Sequence, residues 1–447
     1  MSISNSPNAP TTAEEMLERF VRLRRFSELI AAPLSAEDCA MQSMPDTSPT
    51  KWHLAHTTWF FETFLLKQRS GYRPFNERFE WLFNSYYNAV GVPFPRHRRG
   101  QISRPSLQEA LAYRRAVDGA IAELLDGQPS EWELRVLELG LNHEQQHQEL
   151  MLTDIKHVLF SNPAYPAYME CPSTADNRLV VAQPLRWIES DGGMFDVGYA
   201  GSGFCFDNER PRHATFLQRH RLASRCVNNG EYRKFIEDGG YEKAELWLSL
   251  GWTAVQQNQW RAPLYWVELN SEWHEYTLDG LRPIRDDEPV CHVSFFEADA
   301  FSRWSGHRLP TEFEWEAAAF SESAITNDDH CLKTADVFAD TLLQNGRAPH
   351  PRAPVDDATR FPAAFESLMG NVWEWTSSSY SPYPGYLAES GALGEYNGKF
   401  MCNQFVLRGG SCATVSDHIR PTYRNFFPPD ARWQFSGIRL ADMPLAQ

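Results

Sequence analysis

The sequence predicts a multidomain protein of α and α+β parts, an N-terminal four-helix bundle followed by an irregular α+β domain. Two observations carry this. Between residues 13 and 161, apolar side chains recur at steps of three and four in four long windows, the period of helices that bury one face. Beyond residue 186 the texture changes to short β-like runs, many Gly and Pro, and eleven of the fifteen tryptophans. A chain of 447 residues is ample for two or three cores. The boundaries read as a disordered lead over 1–12, a bundle over 13–161, a linker over 162–185 and a second domain over 186–447.

Thr12 with Glu15 forms a capping-box pattern that opens the first helix, whose Met16, Phe20, Leu23, Phe26 and Ile30 face one way. Ser48 followed by Pro49 starts a second helix through about Gln68, with proline at its first position. His56 lies there on a stripe with Trp52, Trp59, Phe60 and Thr63, whereas His53 reads as nearly opposite on the wheel, a packing or exposed residue. A third helix opens at Ser106 with Glu109 three residues on. The fourth, about Trp132 to Leu159, carries Val136, Leu139, His143, His147 and Leu150 on its inward stripe.

Histidines four apart on a helix stand one above the other, so both imidazoles reach one point in space. Buried and neutral, they need partners, since an unsatisfied ring costs about 1–3 kcal/mol. Bundles place metal sites between facing helices, which makes His56 the natural third ligand to His143 and His147. Three neutral imidazoles leave a divalent ion its full charge and open positions. That suits non-haem Fe(II) binding substrate and oxygen together, and the ligand type also admits zinc.

The stretch His143-Glu144-Gln145-Gln146-His147 is also a literal H-E-x-x-H, the pattern of zinc peptidases. The extended form wants Gly at 150 and His at 153, where this chain has Leu150 and Thr153. His157 lies roughly 15 Å along the helix from His147. The hydrolase reading therefore needs a third ligand from elsewhere.

Between the second and third helices, Arg69 to Arg104 has little helical period and many aromatics, among them Tyr72, Phe75, Phe79, Trp81, Phe83, Tyr86, Tyr87 and Phe94. Loops this long in compact domains are commonly functional, and this one reads as an active-site wall. Arg96, Arg98 and Arg99 offer it guanidinium forks for a carboxylate, or else form a solvated basic turn.

A net charge of -16 argues against nucleic acid or anionic membranes as main partners. No apolar run suits a membrane span or a signal peptide, so a cytoplasmic protein is expected. The eight cysteines are scattered without a C-x-x-C pair, which indicates neither a disulfide framework nor a thiolate metal site.

The second half carries Gly192-Gly193-Met194-Phe195-Asp196-Val197-Gly198, Gly306-His307-Arg308-Leu309-Pro310-Thr311-Glu312-Phe313-Glu314-Trp315-Glu316, Gly370-Asn371-Val372-Trp373-Glu374-Trp375, Arg408-Gly409-Gly410-Ser411 and Gly437-Ile438-Arg439-Leu440. These strings resemble the formylglycine-generating-enzyme fold, a C-type-lectin-like domain. The cysteine pair that holds copper in that family is absent, since the stretch after Gly-Gly-Ser reads Cys412-Ala413-Thr414-Val415-Ser416. The first half, with His53-Leu54-Ala55-His56, Asn84-Ser85-Tyr86-Tyr87-Asn88 and the H-E-x-x-H string, resembles a DinB-like bundle. The fusion resembles the sulfoxide synthases of ergothioneine biosynthesis.

That resemblance implies an O2-dependent enzyme joining hercynine to cysteine or γ-glutamylcysteine, with Fe(2+) held by His56, His143 and His147. It places Gln146 on the substrate imidazole and Arg96 and Arg99 on carboxylates of the sulfur donor. Asn425 would meet the amino-acid end of hercynine, and Phe426 and Phe427 its quaternary ammonium, a cation–π pairing of roughly 0.5–2 kcal/mol. A catalytic tyrosine is implied, either Tyr86 or Tyr87, with Tyr380 and Tyr383 as alternatives from the second half. One branch has an acidic residue where this chain has Phe427, and its loss makes free cysteine at least as good a donor as γ-glutamylcysteine.

Sister synthases acting on histidine or on a selenium donor share the metal site. A non-catalytic lectin-like protein is a further alternative. The lack of a fused methyltransferase domain favours hercynine over histidine as substrate.

Overall fold

A computed structural model describes residues 12–170, 184–321, 338–353 and 365–443. Most of the expected lead and residues 171–183 of the expected linker lie outside the described residues. The chain forms two compact units. The first comprises Met1–Ser161 with two short returns, Gly201–Phe204 and Glu389–Tyr396, and the second holds the remainder.

The first unit is built from α1 (Ala13–Ala31), α2 (Thr50–Phe64), the single turn α3 (Phe79–Leu82), α4 (Leu107–Asp126) and α5 (Glu131–Phe160). Thr12, Ser106 and Ser130 each cap a helix and receive the returning carboxylate of Glu15, Glu109 and Glu133, which satisfies two end donors at once. Helix α2 begins one residue later than expected, because Pro49 takes the cap position itself. It is also buried all round, from Thr50 to Phe64, rather than along one stripe. The cause is the Arg69–Arg104 segment, which covers its outer face. Trp59 donates to the Glu80 carbonyl at 3.1 Å, Trp52 to that of Leu82 at 3.2 Å, and His56 Nδ1 lies 2.6 Å from that of Phe83. These residues recur at steps of four and three, so one face of α2 grips three carbonyls within four residues of the segment.

Opposite, α5 comes close to α2 at Gly140, where a Cβ would stand 2.4 Å from the Phe61 ring. Only glycine permits that separation, one turn before His143.

The second unit is irregular, as its sequence texture implies. Its described residues form four small sheets: β1 (Trp187–Ser190), β4 (His220–Ala223) and β12 (Ala441–Asp442); β2 (Gly193–Val197) with β3 (His213–Leu217); β5 (Trp266–Leu269), β6 (Glu272–Thr277) and β7 (Gly280–Pro283); and β10 (Asn425–Phe427), β9 (Phe405–Arg408), β8 (Trp373–Ser379) and β11 (Ser436–Gly437). Between the sheets lie helices α6 (Asn229–Glu237), α7 (Ser249–Asn258), α8 (Phe295–Trp304) and α9 (Glu312–Ser321), of which α7 buries only Gly251 and Val255. The motif residues of this half pair in the core: Arg439 with Glu374 at 2.7 Å, Arg424 with Glu312 at 2.8 Å, and Arg408 with Glu316. Their charges are spent on the scaffold, where each guanidinium fork meets a carboxylate.

Candidate metal centre

His56 projects from α2 and His143 and His147 from α5, with rings 0%, 1% and 8% exposed. Their ring centroids are 4.6–5.0 Å apart, and one nitrogen of each lies within 4.8 Å of the others. His56 Nδ1–H donates to the Phe83 carbonyl, which leaves its Nε2 without a hydrogen-bond partner; both nitrogens of His143 also lack one. Burial, aided by the neighbouring imidazoles, pushes His56 and His147 well below the ordinary range. Burial likewise takes His143 to about 3. Three neutral rings converging on one point, two of them with nitrogens that no protein donor occupies, are the donor set of a divalent transition metal. Core histidines satisfied by the protein would not leave those atoms orphaned.

A second cluster of candidate ligands, Glu275, Glu288 and His350, occurs in the second unit. Arg282 donates to both carboxylates there, and Arg285 lies 3.6 Å from Glu288, so the protein's own guanidinium groups already serve as their counter-ions.

Glu144, the glutamate of the H-E-x-x-H string, turns away from the imidazoles. Its carboxylate accepts from Arg24 at 2.8 Å, from Ser27 at 2.6 Å and from Arg114. Burial alone would raise its pKa, but Arg114 and Arg24 outweigh that and hold it at about 2. Committed to an ion cluster joining α1, α4 and α5, it is not placed as the base of a zinc peptidase.

Gln146 lies on α5 between His143 and His147 and meets a residue that sequence reading missed. The Tyr396 hydroxyl donates to Gln146 Oε1, and the Tyr396 ring lies 5.7 Å from that of His143. Tyr396 arrives on the Glu389–Tyr396 return, which Glu395 pins by accepting from the backbone N–H groups of Asn88 at 3.1 Å and Ala89 at 2.7 Å. Those two residues directly follow Tyr86 and Tyr87, whose hydroxyls are 3.5 Å apart. Tyr87 is fully buried against Trp59 and Phe64, and burial, then Tyr86 and Tyr396, keeps its phenol protonated.

The two arginines expected on a carboxylate differ. Arg96 is exposed and donates to the Asp46 carbonyl. Arg99 is 4% exposed, bonds Ser48 at 2.9 Å and lies 3.4 Å over the Trp52 ring. Trp52 in turn stacks on His56 at 4.6 Å, so Arg99 supports the face of a ligand rather than facing solvent.

His53, expected to pack elsewhere or lie exposed, belongs to this site. Its Nδ1 is 2.8 Å from His147 Nδ1 and its Nε2 is 3.0 Å from Asp154 Oδ2. Placing it opposite His56 was an error of geometry, because residues three apart on a helix share a face.

Asn425, Phe426 and Phe427 form β10 of the second unit, half-buried, with Phe426 stacked on Tyr380 at 4.0 Å. Within that unit Tyr380 accepts from Asn208 at 2.9 Å and Tyr383 donates to Glu312 at 3.3 Å.

The DinB superfamily model matches residues 19–151, and that of the Sulfatase-modifying factor enzyme 1-like domain matches 183–443. The class is thus a DinB-type bundle fused to a sulfatase-modifying-factor domain. Hercynine oxygenase of Mycolicibacterium smegmatis is 32% identical over 96% of this chain and 98% of its own length. That of Mycobacterium tuberculosis is 32% identical over 96% and 99%. A formylglycine-generating enzyme of Streptomyces coelicolor, 30% identical, matches 57% of this chain and 88% of its own. The chain belongs to the hercynine oxygenase family.

Proposed function

We propose that this protein is a cytoplasmic non-haem iron enzyme that joins hercynine to a thiol, free cysteine or γ-glutamylcysteine, in ergothioneine biosynthesis. The observation that carries the reading is the convergence of three buried, neutral imidazoles, His56, His143 and His147, with orphaned nitrogens on His56 and His143. The reaction balances as one thiol, one hercynine and one O2 giving one sulfoxide and one water. A C–S bond replaces the ring C–H and the S–H, and sulfur gains one oxygen. Ferrous iron, when bound by the three histidines, supplies the one-electron chemistry with O2 that this needs.

The chain's own residues supply position and protons. Tyr396 donates to the oxygen of Gln146, and the amide N–H side of Gln146 is assigned to a ring nitrogen of the substrate. Tyr86 or Tyr87 supplies a proton or hydrogen atom and so diverts the reaction from plain thiol oxidation. Arg96 takes the donor carboxylate, a role for which the buried Arg99 is less suited. Asn425, Phe426 and Phe427 are assigned the amino-acid end and ammonium of hercynine. Phe427, unlike an acidic residue, cannot pair a glutamyl ammonium, which favours free cysteine as the donor.

The test is anaerobic reconstitution with Fe(II), then O2 with hercynine and each thiol, followed by mass analysis. A sulfoxide conjugate, formed faster with cysteine, is expected. Iron-loaded protein that yields none overturns the reading, and a strong preference for γ-glutamylcysteine overturns the donor assignment.

A further inference from the structure

The three histidines differ in what stands behind them. His56 is backed by a neutral carbonyl and His143 by no hydrogen bond, whereas His147 is followed by a second imidazole and then a carboxylate. Resting on the metal-centre reading above, we propose that His53 and Asp154 are positioning residues. They fix His147 as an Nε2 ligand and make it the strongest donor of the three.

The hydrogen-bond pattern permits one arrangement. His53 Nε2 faces a carboxylate oxygen of Asp154, an acceptor, so that nitrogen carries the proton. A neutral His53 then presents a bare Nδ1. The nitrogen 2.8 Å away, His147 Nδ1, must be the donor. With its proton on Nδ1, His147 has its lone pair on Nε2. The reverse arrangement would set a lone pair against the carboxylate. Asp154 is itself fixed, since the same oxygen accepts from the Ser48 backbone N–H at 2.7 Å. His53 and Asp154 are 2% and 3% exposed, so water does not compete for either link. An anion acting through a hydrogen bond raises the basicity of a ligating imidazole, and such outer partners commonly govern metal affinity by about 10–100-fold.

Three variants of the full-length protein, loaded with Co(II) or Fe(II), test this. Asp154→Asn keeps the shape and removes the charge. His53→Asn keeps an acceptor near the Nδ1 position but cannot reach Asp154. His53→Leu removes the acceptor. Chelator competition should show Asp154→Asn and His53→Asn binding Co(II) about 10–100-fold more weakly, with His53→Leu weaker still. The visible spectrum of bound Co(II) should shift, and the Fe(III)/Fe(II) midpoint potential should rise as the donor weakens. Thermal unfolding of the metal-free forms controls for loss of fold. Wild-type affinity and spectrum in both Asn variants overturn the proposal. So does weaker binding with an unshifted spectrum, because that is loosened packing. If the wild type binds neither metal, or His143→Ala binds both unchanged, it is the metal-centre reading itself that has failed.

Discussion

Tyr396 and Gln146, 250 positions apart in sequence, are joined by a hydrogen bond from the tyrosine hydroxyl to the amide oxygen. The bond decides which way the amide points. Tyr396→Phe removes that restraint, and the expected result is a KM for hercynine raised about 2–10-fold, with iron content unchanged. Loss of iron instead would assign Tyr396 to the metal's support, and an unaltered KM would remove it from substrate binding.

The imidazoles make stability depend on pH. The folded state holds His143 neutral to about 3 against an ordinary value of 6.5, and lowers His56, His147 and His53 as well. Protonation therefore favours the unfolded chain. This contribution is whole above pH 6.5 and is lost as the pH falls toward the folded value. Each ring contributes a slope of up to about 1.4 kcal/mol per pH unit. Urea midpoints of chelator-treated protein should drop steeply between about pH 6.5 and 5. A flat profile would mean the rings are not buried and neutral.

Glu144→Gln leaves Arg24 and Arg114 without their shared anion. Breaking a buried pair from one side costs about 3–5 kcal/mol, so denaturant unfolding should show a loss of that order. Because the carboxyl stays ionised down to about 2, the wild-type contribution is present at any ordinary pH and fades only in strong acid. A zinc peptidase would instead lose hydrolysis with its fold intact.

Gly140→Ala tests how the two ligand-bearing helices are spaced. The added methyl collides with the buried Phe61 ring, and overpacking of this kind costs about 1–3 kcal/mol. Metal affinity should fall with stability, since α2 and α5 must separate. A variant as stable as wild type, with undiminished affinity, would show that the contact is relieved elsewhere.

The bundle helices and the convergence of His56, His143 and His147 were legible because imidazoles interrupt regular apolar stripes, and stripe and spacing together fix where a side chain points. The part played by His53 was in the sequence too, at the i, i+3 step from His56, and was misread. Arg99 misled for a physical reason: a guanidinium reads as solvated, yet this one is buried between Ser48 and Trp52. Tyr396 left no local signal, because a short polar return has no period and its partner lies far away in the chain.

The Glu389–Tyr396 return also has a consequence for the order in which the protein is made. All three imidazoles of the cluster have been added by residue 147, yet the phenol bonded to Gln146 is added only after most of the second half. A fragment ending at the bundle would therefore be expected to take up metal and still handle substrate poorly, a half-finished enzyme awaiting its last hydroxyl.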